Sequence, residues 1–269
     1  MAGLKVGIVG AGYAADLHAE GYLESPKAEI VAVCDRSEDR AISRSLDWGA
    51  NAYFTDLSRM LRDTDLDAIE ILSPHALHEK QALAALEAGV DVCVERPVAE
   101  SIEGADRVIQ AADEFDRTLQ IFEPCLFHRP LLDARNLIDN GEIGSPTSIN
   151  ISANIASATH GGWQLDDGLG DRWRFQPDER PTSPLLFEIG YQAFCISLFL
   201  IGSVDKVEVW RSTSPFTDKL DIEAPTTAIW KHFQQDCYGS FSLTYTPERQ
   251  LETAYEPMEH KIELVGSKG

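Results

Sequence analysis

The sequence predicts an α/β fold with a doubly wound parallel sheet, followed by an α+β domain whose open sheet is largely antiparallel. Three observations predict it. A short apolar run, Leu4-Lys5-Val6-Gly7-Ile8-Val9, passes directly into Gly10-Ala11-Gly12-Tyr13-Ala14-Ala15. Strand-like and helix-like stretches then alternate as far as residue 122, as in a parallel sheet with crossover helices. Beyond residue 123, strand-like runs cluster around one long apolar stretch, as in an α+β domain. The expected domains are therefore 1–123 and 124–269.

The first strand, 4–9, ends in G-x-G-x-x-A, the fingerprint of a dinucleotide-binding βαβ unit. Gly10 permits a tight turn. Gly12, lacking a Cβ, lets a pyrophosphate approach the backbone. Ala15 is small enough for helix 13–24 to pack on the strand. Tyr13 and Ala14 open that helix, whose N-terminal N–H groups and dipole suit phosphate. The second strand, 29–34, ends at Asp35, 25 residues after Gly10, near the spacing of the acid that binds the adenosine ribose hydroxyls. The plainer reading of the same residues is a glycine turn, with Asp35 capping the next helix. Asp35 favours NAD, because a carboxylate repels a 2′-phosphate. Arg36 beside it offers a partner for that phosphate, so NADP stays open. Further strands are expected over 68–72, 90–94 and 118–122, and helices over 37–47, 56–62, 76–88 and 101–115. Helix 76–88 shows helical spacing through Leu77, Ala84, Ala85 and Ala88, with Gly89 suited to end it.

In the second domain a helix is expected over 130–140, then a turn cluster at 141–146 and a strand over 147–155. Residues 157–183 read as loop, with Trp163 and Trp173 free to cover a cleft or to pack the loop. A long apolar helix follows over 185–201, then strands over 204–212, 226–233, 236–246 and 259–265. On the apolar helix Glu188, Gln192 and Cys195 are spaced i, i+4 and i+7, so an α-helix places them on one face. Such a stripe must be satisfied by hydrogen bonds or must line a cleft. Glu188 and Gln192, with no basic flanks, argue against a membrane span.

Composition narrows the partners. Of 269 residues, 44 are acidic and 23 basic, a formal net charge of -21, which repels nucleic acid and anionic membranes. The bases include few lysines, a balance that fits adaptation to high salt as well as it fits an ordinary acidic cytoplasmic protein. Five scattered cysteines form neither a disulfide framework nor a zinc spacing, which points to a reducing compartment.

Gly10–Ala15, Asp35, Ser73-Pro74-His75-Ala76-Leu77-His78, Glu95-Arg96-Pro97, Gly141-Glu142-Ile143-Gly144 and Trp173-Arg174 occur in an order that resembles the Gfo/Idh/MocA oxidoreductases. The resemblance implies an N-terminal Rossmann domain and a C-terminal domain whose open sheet forms a homo-oligomer interface. It implies hydride transfer between a nicotinamide cofactor and a sugar, polyol or related alcohol. It places Ser73, Pro74, His75, His78, Glu95, Arg96 and Glu123 near that cofactor. A metal pair at His75 and His78 has no further ligand cluster in the sequence, so no metal is expected. Members continue well past the final residues here, so the chain reads as a shortened member.

The catalytic positions depart from the family pattern. Arg96 stands where the family has a lysine, and a guanidinium cannot shuttle a proton. It can stabilise developing negative charge. Gln192 stands where the family has its acid/base histidine, and an amide transfers no proton. Tyr191, Glu188, Glu123, His128 and His160 are left as candidates for that task. The expected catalytic set is Arg96, Glu188, Gln192 and Tyr191. With both usual proton handlers replaced, a cofactor-binding protein without dehydrogenase activity is the alternative.

Overall fold

The structure is a computed structural model that describes residues 3–158, 186–217, 220–233, 236–251 and 258–269. The chain divides into two compact units, Met1–Glu123 and Pro124–Gly269.

The first unit is built on parallel strands. β1 (Leu4–Val9), β2 (Ala28–Cys34), β3 (Ala52–Phe54), β4 (Ala68–Ile71), β5 (Asp91–Glu95) and β6 (Leu119–Phe122) lie in the order β3-β2-β1-β4-β5-β6. Every pairing in this sheet is parallel. The crossovers are α1 (Tyr13–Glu24), α2 (Glu38–Asp47), α3 (Leu57–Asp63), α4 (His75–Glu87) and α5 (Ile102–Glu114). Ser37, Asp56 and Ser101 start α2, α3 and α5 by accepting backbone N–H groups three residues on. One core joins Ile8, Ile30 and Val33 to Ala15 and Ala19 of α1. On the opposite face Val9, Ile69, Ile71, Val92 and Val94 pack with Met60, Ala82, Leu86 and Val108. Parallel strands covered on both faces demand such apolar runs, and each fully buried Ile or Val stabilises by about 1.5–3 kcal/mol.

One position breaks that rule. Glu70 of β4 is buried on the α1 side, and His18 of α1 meets it with Nδ1 2.8 Å from Oε1. The His18 ring also packs on Phe122, 4.4 Å between centroids. Burial alone lowers the His18 pKa, but the Glu70 hydrogen bond and the charges of Glu70 and Glu95 outweigh it and raise it. Burial and the Glu70 carboxylate push the Cys93 thiol up to about 12.

The second unit contains α6 (Arg129–Asp139), β7 (Pro146–Ala158), a π-helical turn at Leu186–Gly190, α7 (Tyr191–Leu200), β8 (Val204–Arg211), β9 (Ser214–Thr217), β10 (Leu220–Ile222), β11 (Thr226–His232), β12 (Tyr238–Leu251) and β13 (Met258–Gly266). A five-stranded sheet runs β13-β7-β12-β11-β8, antiparallel except for the parallel β7–β12 pair. Alternate residues, Ile149, Ile151 and Ile155 of β7 and Phe241 and Leu243 of β12, meet Leu131 of α6 and Ala193, Ile196 and Leu200 of α7.

A polar knot sits inside this core. Trp230 Nε1 donates to Ser197 Oγ at 3.0 Å and lies 3.1 Å from His232 Nε2. His232 Nδ1 is 2.9 Å from the Gly202 carbonyl, which can only accept, so Nδ1 carries the proton and Nε2 accepts. Burial lowers the His232 pKa. Trp230 pairs in register with Gly239 of β12, and a Cβ there would run into the indole.

Three expectations change. The three-residue β3 and the short β9–β10 hairpin had no periodic signal. On α4 the buried face runs through His75, His78, Ala82, Ala85 and Leu86, while Leu77 is exposed. The helix expected over 185–201 begins as a π turn, so the α-helical spacing that placed Glu188 on a common face with Gln192 and Cys195 does not hold across Gly190. Trp163, Trp173 and His160 lie outside the described residues, as does the Glu188 side chain. Among the described residues no helix is long and apolar enough to cross a membrane.

Candidate active site at the carboxyl edge of the parallel sheet

In the first unit β1 is central, with β2 on one side and β4 on the other. The strand order reverses there, and ligands of open parallel sheets bind beyond the carboxyl ends at that point. Gly10 follows β1, Asp35 follows β2, Ser73 follows β4, Arg96 follows β5 and Glu123 follows β6. One edge of one sheet thus gathers the residues expected from five separate segments.

The two fingerprint glycines have different physical reasons. Gly10 has φ +91°, and a Cβ there would lie 2.7 Å from Leu72 C and Ser73 N. Its N–H donates to the Cys34 carbonyl at 2.8 Å. Gly10 is needed by the fold. Gly12 caps α1 with extended backbone, φ -82°, and a Cβ there would have nothing within 4 Å. No side chain caps α1 at that end. The fold makes no demand on Gly12, yet the space above it is open, as a phosphate cradle needs. Ala15 is fully buried against the sheet, Ala14 is half-buried and Tyr13 is exposed.

Asp35 is 7% exposed, and its carboxylate fixes the loop geometry. Oδ2 accepts the Ala11 N–H at 2.9 Å and Oδ1 accepts the Ser37 N–H at 2.8 Å. Arg40 Nη1 lies 3.5 Å from Oδ2. The acid therefore joins the ends of β1 and β2, and it does more than cap a helix. Arg36 is exposed beside it. The sequence reading does not single out Arg40 as a neighbour of Asp35; its place in the first turn of α2, five residues on, is the signal that could have found it.

Past β4, Ser73 Oγ donates to Gln81 Oε1 at 2.5 Å, and Pro74 occupies the N-cap position of α4. His75 is 2% exposed, and its ring lies 5.5 Å from that of His78. His78 is fully buried, with Nδ1 2.7 Å from the Pro97 carbonyl and Nε2 2.6 Å from the Ser73 carbonyl. Its ring atoms are committed to the protein, so it supports the loops and does not itself face a ligand. Among the described residues no cluster of three metal-ligating side chains occurs.

Glu95, the last residue of β5, is half-buried, and Arg96 after it precedes a cis Pro97. Arg96 is 7% exposed and Glu123 4%, and Nε lies 3.4 Å from Oε2. That burial rules out a mere surface ion pair. A buried guanidinium–carboxylate pair at a ligand-binding edge can hold a hydroxyl and stabilise an oxyanion.

On the second unit Tyr191 and Gln192 are half-buried at the start of α7, directly after the π turn. Single π turns inside helices recur at functional sites. His128 is exposed at the N-cap of α6.

Residues 4–123 match the family described as an oxidoreductase family with an NAD-binding Rossmann fold. The D-glucoside 3-dehydrogenase of Escherichia coli K12 is 33% identical over 145 residues, 52% of this chain and 40% of that protein. The inositol 2-dehydrogenase of Klebsiella pneumoniae 342 is 33% identical over 146 residues, 53% of this chain and 43% of that protein. These matches thus span less than half the length of the relatives. The scyllo-inositol dehydrogenase of Lactobacillus casei, solved with bound NAD(H) and scyllo-inositol, superposes with TM-score 0.82 at 20% identity, covering 99% of this chain and 75% of that one. That likeness carries the fold across both units. The matched segment and the shared fold together make residues 4–123 similar to the NAD-binding Rossmann domain of the Gfo/Idh/MocA oxidoreductases.

Proposed function

We propose that the chain binds NAD and transfers a hydride between it and a sugar, polyol or related alcohol. The observation that carries this reading is the pair formed by Gly12 and Asp35. One leaves a cradle open at a helix N-terminus, and the other holds a buried carboxylate at the end of β2. The residues present fit a dinucleotide. Gly10, Gly12 and the first turn of α1 receive the pyrophosphate, and Asp35 accepts the ribose hydroxyls and disfavours a 2′-phosphate. When bound, the nicotinamide supplies the hydride acceptor or donor. Arg96 holds the substrate oxygen and stabilises its negative charge, with Glu123 fixing the guanidinium. Glu123, Glu188 and Tyr191 are the candidates for taking the alcohol proton, and Gln192 orients through hydrogen bonds alone. Relatives named for glucoside and inositol oxidation support the substrate class.

We also read the uncovered face of the second sheet as a contact between copies of this chain. Trp210, Ile229, Tyr238 and Val265 lie on it, each at least 40% exposed, among lysines and glutamates of both signs. A reducing, cytoplasmic setting fits Cys34, Cys93, Cys195 and Cys237, which form no disulfide among the described residues.

The test has two stages. NADH fluorescence titration should give saturable binding, and a panel of inositols, glucosides and sugar acids with NAD should yield absorbance at 340 nm. Absence of NADH binding at millimolar concentration refutes the reading. Binding without turnover on the whole panel favours the cofactor-binding protein without dehydrogenase activity. Light scattering should report a dimer or larger that Trp210→Asp disrupts.

A further inference from the structure

Two loops flank the proposed cofactor position at the carboxyl edge, one after β4 and one after β5. Nothing in either loop's own sequence fixes their separation. His78 does so from below. Its ring is fully buried on α4, with one nitrogen at the Ser73 carbonyl and the other at the Pro97 carbonyl.

Both partners are carbonyl oxygens, which accept and never donate. A neutral imidazole has one N–H and one lone pair, so it can donate to only one of them. The other nitrogen would then press its lone pair against an oxygen at hydrogen-bond distance. An imidazolium has two N–H groups and satisfies both. Burial, with the neighbouring His75 ring, leaves the His78 pKa lowered from 6.5 despite the two carbonyl hydrogen bonds and Glu95, so the imidazolium forms only on the acid side of that value. Arg96, next to Pro97, is the other charged group at this loop, and it is paired with Glu123.

The tie reaches both halves of the site. Ser73 abuts Gly10, since a Cβ on Gly10 would strike the Ser73 nitrogen. Pro97 follows Arg96 directly. We propose that His78 is a positioning residue that ties the cofactor-loop side to the Arg96 side through both ring nitrogens, and that the tie is complete only on the imidazolium. What the tie positions rests on the dinucleotide reading; the tie itself does not.

Two measurements test it. Long-range ¹H–¹⁵N NMR of the whole chain, with His78 assigned through His78→Gln, should show both ring nitrogens protonated at the acid end of a titration between about pH 5 and 8. Above the midpoint one nitrogen should carry a lone pair. A ring that stays neutral down to the acid limit overturns the proposal. NADH affinity should then tighten about tenfold as pH falls through that midpoint, the gain expected of one charge-assisted hydrogen bond at the low end of its range. His78→Gln should lose that dependence, and His18→Gln, which removes a titrating histidine of the same unit that touches neither loop carbonyl, should retain it. A His78→Gln protein with the parent's pH dependence overturns the proposal. If the parent binds no NADH at all, the functional reading fails and the NMR result alone decides the tie.

Discussion

Gly12→Ala separates what the fold needs from what the cofactor needs. The backbone at Gly12 has φ -82°, which alanine adopts without strain, and an added Cβ meets nothing within 4 Å. Loss of chain entropy in the unfolded state should leave stability unchanged or raised by up to about 1 kcal/mol. The same methyl group fills the space where a pyrophosphate would approach. Displacing the phosphate from one or two N–H groups at about 1.5–3 kcal/mol for each charged hydrogen bond weakens NADH binding by about tenfold to a hundredfold or more. Gly10→Ala is the internal control, because its cost falls on folding. The positive φ costs about 1–2 kcal/mol and the clash with Leu72 and Ser73 about 1–3 kcal/mol more. Urea unfolding with parallel NADH fluorescence titration reads both quantities. A Gly12→Ala protein that binds NADH within twofold of the parent refutes the placement of the pyrophosphate over Gly12.

Other expectations follow from the same geometry. Arg96→Met takes the guanidinium away from the buried Glu123 carboxylate and should cost about 3 kcal/mol by urea unfolding, with Arg96→Met/Glu123→Leu recovering most of it; strictly additive losses would refute the pairing. Asp35→Ser should narrow the preference for NADH over NADPH about tenfold in titrations, because the carboxylate that accepts ribose hydroxyls and repels a 2′-phosphate is gone; an unchanged ratio means that Asp35 does not face the ribose. His232 is held neutral, with its pKa lowered from 6.5, so its contribution is present above pH 6.5 and is lost as pH falls through the lower folded value. His18 has the opposite sign: its pKa is raised, so its stabilisation is present below pH 6.5 and is lost as pH rises through the higher folded value. Urea midpoints across that range should show His232→Gln flattening the acid limb and His18→Gln the alkaline limb, and slopes that survive both substitutions would contradict the assignments.

Local pattern made much of the first unit legible. Val6, Ile8 and Val9 run into Gly10 without interruption, and strands covered on both faces announce themselves as apolar runs. What stayed hidden was fixed by tertiary contact. β3 has three residues and no period of its own. His75 and His78 were placed near the cofactor by resemblance but were not readable as buried-face residues of α4, because the carbonyls that meet His78 belong to the loops after β4 and β5. Glu70 is one polar residue in an otherwise apolar strand, and only the packing of α1 brings His18 to it. The π turn escaped because its residues are as apolar as those of the helix they precede. Arg96 and Gln192 were legible as departures from the family pattern, whereas the burial of Arg96 against Glu123 depends on β5 and β6 lying side by side.

Trp230 and Gly239 carry a consequence for how this sheet can vary. The indole occupies the volume that any side chain at 239 would need, and its N–H closes the knot with Ser197 and His232. Neither residue can change first without penalty: a larger residue at 239 evicts the indole, and a smaller one at 230 opens a cavity and leaves the knot short of a donor. In relatives with this sheet the two positions should therefore be exchanged as a unit, an aromatic facing a glycine or two medium-sized side chains sharing the space.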